Sequence, residues 1–386
     1  MSDPVVPIAS PKHEVASDEN HLEAGIALCL SGGGYRAMVF HCGVLLRLND
    51  ANYLSQLKRI SSVSGGSIMA GMLGLKWKTL KFSNGAATNL SAEVIEPIFR
   101  LASRTIDKWS VLGGMLLPGT VSDKIAEAYD KHLFAGATLQ DLPADGDGPR
   151  FVINATNVQS GAIWRFSRPY MGDYLVGRVM APTIRLATAV AASSAFPPVL
   201  SPLDLELSHS DFQPDSGCPL QRPPFTTDVV LTDGGVYDNL GLEPIWKRYR
   251  TILISDAGGK LAAEPEAKHD WGRHVYRVLE LVDNQVRSLR KRDAIASFVD
   301  QKDDHDGTYW GIRTDIADYK LSNALPAPFE ATMQLANTPT RLERMDEQLQ
   351  HRLANWGYAV CDAALRRHLD PKLSVPAGFP FPGGVQ

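Results

Sequence analysis

Cysteine is scarce in this chain of 386 residues: four are present, Cys29, Cys42, Cys218 and Cys361, with no Cys-x-x-Cys pair. That excludes a disulfide framework and predicts free thiols in a reducing compartment. A surplus of charge is missing too. Lys and Arg number 39 against 43 Asp and Glu, a net charge of −4, which offers no global attraction to nucleic acid or to an anionic surface. No apolar run approaches the roughly 18 residues that span a bilayer. The N-terminus has neither the basic segment nor the apolar stretch of a secretion signal, and residues 1–20 are expected to be a disordered tail. Together these absences predict a cytoplasmic protein that meets any membrane substrate peripherally, from the water side.

What is present is an alternation of strands and helices. Ile26–Leu30 is apolar and runs into Ser31-Gly32-Gly33-Gly34; Tyr35–Leu48 has helical spacing; Arg59–Val63 is a second strand, and Gly65–Leu75 is a helix of small and apolar residues. This order predicts an α/β fold with a mostly parallel central sheet and helices on both faces. Residues 76–150 read as a helical insertion, within which Trp109–Leu117 is an apolar, glycine-broken segment suited to a lid or to the core. A hairpin is expected from Phe151–Ala155 and Ala162–Phe166, a helix over Thr183–Ala192, a proline-rich excursion over 201–227, and buried strands at Val229–Thr232 and Thr251–Ser255. Ala267–Phe298 reads as a long helix with basic residues from Arg287 to Arg292. The last helix is expected to start at Thr338 as cap and Pro339 as first residue, ending at Asp370-Pro371. No internal repeat divides the chain. One domain over 21–370, with insertions at 76–150 and 201–227 and a C-terminal tail at 371–386, is the expected organisation.

Two motifs stand one strand–helix unit apart. Gly32-Gly33-Gly34-Tyr35-Arg36 lies at a strand exit and a helix mouth, where bare N–H groups and the helix dipole make a cradle for an anion or a developing oxyanion. Gly32-x-Gly34-x-x-Ala37 also fits a dinucleotide-binding fingerprint. That reading requires an acid at the end of the next strand, which instead ends Ser61-Ser62-Val63-Ser64. The Gly-Lys-Ser/Thr of a phosphate loop is absent. Ser62-Val63-Ser64-Gly65-Gly66, directly before a helix, matches the strand–turn–helix elbow that presents a nucleophilic serine. A third motif, Thr232-Asp233-Gly234-Gly235, puts a carboxylate at a strand exit; Asp256 in Ser255-Asp256-Ala257-Gly258-Gly259 has a similar setting and is its rival.

In this order, Gly-Gly-Gly-x-Arg, Ser-x-Ser-Gly-Gly, Ala192-Ser193-Ser194-Ala195-Phe196-Pro197 and Asp-Gly-Gly resemble the patatin-like phospholipase family, over roughly residues 24–260. The resemblance implies a three-layer fold and a lipid acyl hydrolase, phospholipase A or lysophospholipase, acting through a Ser–Asp dyad and an acyl-enzyme. It makes Ser64 the nucleophile and Asp233 the base. Gly33 and Gly34 supply oxyanion N–H groups, Gly32 shapes their loop, and Gly65 is a further donor; Arg36 is a candidate contact for an anionic headgroup. Ser62 stands where the elbow usually has glycine, and Ala37 where a glycine often follows the arginine. No cofactor and no metal are implied, and Asp303-Asp304-His305-Asp306 reads as a solvated loop. His41 reads as a core histidine. The basic run Arg287–Arg292 reads as a solvated helix face, with anionic headgroups or a nucleotide activator as its candidate ligands. Two other functions fit part of the pattern: an α/β-hydrolase esterase whose triad histidine is His269, His274 or His305, and a nucleotide-binding regulatory module.

Overall fold

Strand β1 (Glu23–Leu30) shows why the chain forms layers. Its side chains alternate: Leu28 and Leu30 enter a large apolar core, while Ala27 and Cys29 enter a smaller cluster on the opposite face. A strand apolar on both faces is stable only between two helical layers. The computed structural model describes residues 22–106, 121–214, 217–267, 269–300 and 304–386. The expected tail at 1–20, the segment Trp109–Leu117 and Asp303 lie outside the described residues.

The main sheet continues with β2 (Leu57–Val63), β3 (Arg150–Asn157), β4 (Ile163–Phe166), β5 (Tyr170–Asp173), β6 (Gly177–Met180), β7 (Leu203–Glu206), β8 (Asp228–Asp233), β9 (Tyr249–Asp256) and β10 (Asp306–Gly311). The spatial order is β10-β9-β1-β2-β3-β4-β5-β6, with β8 paired to both β3 and β7. Pairing is parallel from β10 through β3. Beyond β3 the sheet becomes an antiparallel meander. The expected hairpin is therefore its first half, and β7 lies inside the proline-rich excursion.

Helices α1 (Gly34–Asp50), α2 (Gly65–Lys76) and α3 (Leu186–Ser193) contribute to the large core; α4 (Trp271–Asp300) lies over the smaller cluster, and α5 (Glu347–Ala364) packs on α1. The α1–α5 approach depends on glycine. A Cβ on Gly43 would stand 1.7 Å from the Ala354 carbonyl oxygen, and one on Gly357 would stand 2.0 Å from that of Phe40. Arg47 seals this contact with a buried 2.8 Å pair to Asp362, which also takes Arg366 at 2.7 Å; buried charges require such partners.

The last helix does not start at Pro339. Asp346 caps it, its carboxylate accepting from the Leu349 N–H at 2.7 Å, because the chain before it is committed elsewhere. The carbonyl of Arg341 accepts from Tyr35 N–H, that of Leu342 from Ile106 N–H, and Met345 N–H donates to the Ala102 carbonyl. A helix through 339–345 would forfeit all three. The 371–386 segment has no regular helix or strand, yet it is docked: Asn355 Nδ2 donates to the carbonyls of Phe381 and Gly384, and Val385 is buried.

Candidate active site

Strand β3 brings the two motif residues together. Its edge pairs with β2 up to Val63↔Asn154, and then with β8 from Asp233↔Ala155 onward. β2 and β8 run in opposite directions along that edge, so their C-terminal ends meet. Ser64 and Asp233 are the residues at those ends.

Ser64 occupies φ 50°, ψ −120°, a left-handed φ that costs a non-glycine residue roughly 1–3 kcal/mol. The neighbourhood holds it there. Gly66 presses on the end of β1, where a Cβ would lie 2.4 Å from the Leu30 carbonyl oxygen. A chain of hydroxyls fixes the backbone: Ser64 N–H donates to Ser193 Oγ (2.9 Å), Ser193 Oγ bonds Ser67 Oγ (2.9 Å), Ser67 donates to Ser62 Oγ (3.0 Å), and Ser62 donates to the Val152 carbonyl (3.3 Å). Ser62, the departure from glycine, is thus part of the support of the elbow. Ser193→Ala would orphan a buried N–H at about 1–3 kcal/mol, and chemical denaturation should show that loss.

Asp233 is buried. Its N–H donates to the Ala195 carbonyl at 2.9 Å and its carbonyl accepts from Thr156 Oγ1 at 2.9 Å. Its carboxylate accepts from the Gly235 N–H at 2.6 Å, and the Ser64 hydroxyl is near enough to stabilise its charged form. Burial pushes the carboxyl up to about 7, against the lowering effect of those two donors, and the charge of Asp283 adds to the rise. A carboxylate at that value, close to a serine hydroxyl, is suited to exchange a proton with it near neutral pH.

Asp256 has a different environment. Burial alone would raise it, but Arg287, the Gly258 N–H, the Tyr309 hydroxyl and Lys291 together hold it below the usual carboxylate range. Tyr309 Oη and Gly258 N–H each donate to it at 2.8 Å. It ties the end of β9 to β10 through Tyr309 and faces Arg287 of α4.

The glycine loop leans on the elbow: a Cβ on Gly65 would stand 2.1 Å from the Gly34 carbonyl oxygen. Gly33 and Gly34 have φ of 145° and 58°, where L side chains are strained. Gly34 and Gly65 open α1 and α2, whose first-turn N–H groups have no intrahelical acceptor. Gly32 is engaged by Asn239. Its N–H donates to the Asn239 carbonyl at 3.2 Å, and a Cβ there would meet Asn239 Oδ1 at 2.5 Å. Asn239, which no motif singled out, fills the space between this loop and Gly235.

Arg36 is also corrected. Its guanidinium is buried, donating to the Ala257 carbonyl through Nε (3.3 Å) and Nη2 (3.1 Å) and to the Thr338 carbonyl through Nη1 (2.6 Å). Burial and the neighbouring Arg313 and Arg287 bring it down to about 10. It clamps two loops behind the glycine cradle and presents no free edge to a headgroup. The basic run is equally engaged. Arg287 donates to the Gly259 carbonyl at 2.6 Å, Arg290 pairs with Glu243 at 3.3 Å, and Lys291 lies 4.6 Å from the centre of the Tyr309 ring. Three of the four basic residues thus dock α4 onto the protein, Arg292 being exposed, and the nucleotide activator loses the free cation cluster that suggested it.

None of the candidate triad histidines hydrogen-bonds Ser64 or Asp233. His269 and His274 are exposed near the start of α4, and His305 stacks on Trp246 at 4.3 Å at the opposite end of the sheet, its Nε2 bonded to the Trp246 carbonyl at 2.8 Å. His41 bridges Ser255 Oγ and the Ser31 carbonyl at 3.0 Å each, and burial lowers it to about 4.

A strained serine turn, a buried carboxylate near it and a glycine-rich loop thus lie together at one end of the sheet of a three-layer α/β fold. The comparison with known sequences is more specific. A sequence model described as patatin-like phospholipase matches residues 28–246, more than half of the chain, and the chain belongs to that family. No protein of curated function matches it in sequence. Among solved structures it is similar to human GIVD cytosolic phospholipase A2, with TM-score 0.51 and 14% identity over 89% of this chain and 60% of that one. VipD from Legionella pneumophila gives TM-score 0.35 at 14% identity, over 89% and 67% of the two chains. The first likeness supports the fold; the chain spans only 60% of that enzyme's length. Among the described residues no helix is long and apolar enough to cross a membrane.

Proposed function

We propose that this chain is a lipid acyl hydrolase, a phospholipase A or lysophospholipase, that cleaves fatty-acyl esters with Ser64 as nucleophile and Asp233 as its only side-chain base. The observation that carries the reading is a serine strained at φ 50° at the end of one strand beside a buried carboxylate, pushed up to about 7, at the end of the strand that meets it. Asp233 takes the Ser64 proton as Oγ attacks the ester carbonyl. The N–H groups of Gly33, Gly34 and Gly65 face the developing oxyanion. The proton then passes to the leaving alcohol, and water, activated by the same carboxylate, cleaves the acyl-enzyme. Family membership supports the lipid substrate, and the matched span contains Asp233 but ends before Asp256. The working protein is read as cytoplasmic and peripheral at membranes, with phospholipid or lysophospholipid as its partner.

The test is mass spectrometry of total membrane lipids incubated with the wild-type protein and with Ser64→Ala. Free fatty acid and lysolipid should appear only with wild type; identical lipid profiles would refute the reading. A pH series adds a signature. Only ionised Asp233 accepts a proton, so kcat/KM on a soluble p-nitrophenyl ester should climb as pH rises through about 7 and then level off. A profile flat from pH 5 to 9 would remove Asp233 from the base role.

A further inference from the structure

The N-terminal half of helix α4 is turned inside out. Its charged side faces the protein: Arg277 pairs with Glu264 at 3.4 Å and donates to the Ala262 carbonyl at 2.5 Å, while Arg287 and Arg290 hold Gly259 and Glu243. Its apolar side faces water. Trp271, Val275, Val278, Leu279, Val282 and Val286 are all exposed, Trp271 at 83%, Leu279 at 60% and Val282 at 56%. At about 100° per residue and about 1.5 Å of rise, these six lie in one stripe about 100° wide and about 22 Å long. Single exposed apolar residues are ordinary; an uncharged stripe opposite a charged docking face is not.

The stripe leads toward the turn that follows Asp233. One turn beyond Val286, Arg290 lies over the Tyr237 ring at 5.6 Å, and the adjacent Val236 is 50% exposed. Phe196 and Val199 are exposed on the loop whose Ala195 carbonyl holds Asp233. From these placements we infer that the outer face of α4, from Trp271 to Val286, is the surface by which the protein docks on a zwitterionic phospholipid surface, lying in the headgroup plane with the exposed Val236 and Phe196 on the side of the lipid.

The choice of lipid as occupant rests on the acyl-hydrolase reading and on two physical points. The stripe carries no charge and the chain is net negative, so neutral headgroups are favoured over anionic ones. A second copy docking through the same stripe would gain a seam about 22 Å by about 10 Å, far below the roughly 800 Å² per partner of a stable interface.

The experiment uses the full chain and phosphatidylcholine vesicles. Val275→Asp with Leu279→Asp should weaken co-sedimentation at least about tenfold and lower vesicle hydrolysis in parallel, while turnover of a soluble p-nitrophenyl ester stays within about twofold, as befits exposed positions. Trp271 supplies a second readout that needs no polar substitution in the stripe. Vesicles should shift tryptophan emission to the blue in wild type, and Trp271→Phe should lose that shift. Unchanged sedimentation in the double variant, an emission shift that survives Trp271→Phe, or a wild-type dimer that the double variant dissociates would each overturn the docking surface. The two readings fail separately. Wild type that binds vesicles through the stripe but hydrolyses no ester defeats only the hydrolase; wild type that hydrolyses esters while the variant binds like wild type defeats only the docking face.

Discussion

In Asp233→Asn, hydrolysis of a soluble ester should fall by roughly 10⁴-fold or more, nearly as far as in Ser64→Ala, and the double variant should be little worse than either. Asparagine keeps the shape and the Gly235 N–H bond while removing the proton acceptor. The variant should also be the more stable protein at high pH. A carboxyl pushed up to about 7 when folded, against about 4 when unfolded, favours the folded state only while protonated. That contribution is whole below pH 4 and is lost as pH rises to 7, so the folded protein holds the desolvated charge at a cost above it. The melting temperature of Asp233→Asn should therefore exceed that of wild type at pH 8 and match it at pH 4. Lost activity together with lost stability at pH 8 would indicate plain misfolding. His269→Gln, His274→Gln and His305→Gln should each stay within a few-fold of wild-type turnover; a collapse at any of them would replace the dyad with a triad. Asp256→Asn separates the two acids. Its carboxylate answers Arg287 and Tyr309, so its replacement should lower stability more than it lowers the chemical step.

The second large effect belongs to the glycine cradle. Gly33→Val should reduce kcat by about 100- to 1000-fold in folded protein, the loss expected when an oxyanion donor is displaced. The backbone there has φ 145°, and any Cβ would stand 2.9 Å from the Ala257 carbonyl oxygen. The loop must therefore move, and the amides at Gly33 and Gly34 move with it. Gly136→Ala is the matched control, because Gly136 has φ +83° with nothing within 4 Å of a Cβ. It carries the same kind of backbone strain away from the elbow and should leave kcat unchanged. Near-normal turnover in Gly33→Val would take this loop out of the mechanism.

Much of the site was legible in the sequence because its determinants are local. A strand ending in Ser62-Val63-Ser64-Gly65-Gly66 and opening a helix states its own turn, since only small residues allow that approach. The triple glycine before Tyr35 states another, and apolar runs alternating with helical spacing imply the layered sheet. These patterns span a few residues each, within reach of backbone sterics and hydrophobic period. They determined the elements, the elbow and the two candidate acids. They did not choose between the acids. Asp233 and Asp256 both end strands before a glycine pair, and the difference arises only because β8 runs antiparallel along the same edge of β3 that β2 has just left, while β9 delivers Asp256 to Arg287 and Tyr309. Ser193 could be seen in a motif, but not its bond to the Ser64 N–H, which joins residues 129 positions apart. The start of α5 was misplaced because Thr338 and Pro339 form a sound local cap, and tertiary bonds from 341–345 outweigh it. The basic run of α4 looked solvated because charge ordinarily faces water. Only the fold showed Arg287 and Arg290 turned onto carbonyl and carboxylate, because which side of a helix faces the protein is decided by the partners already standing there.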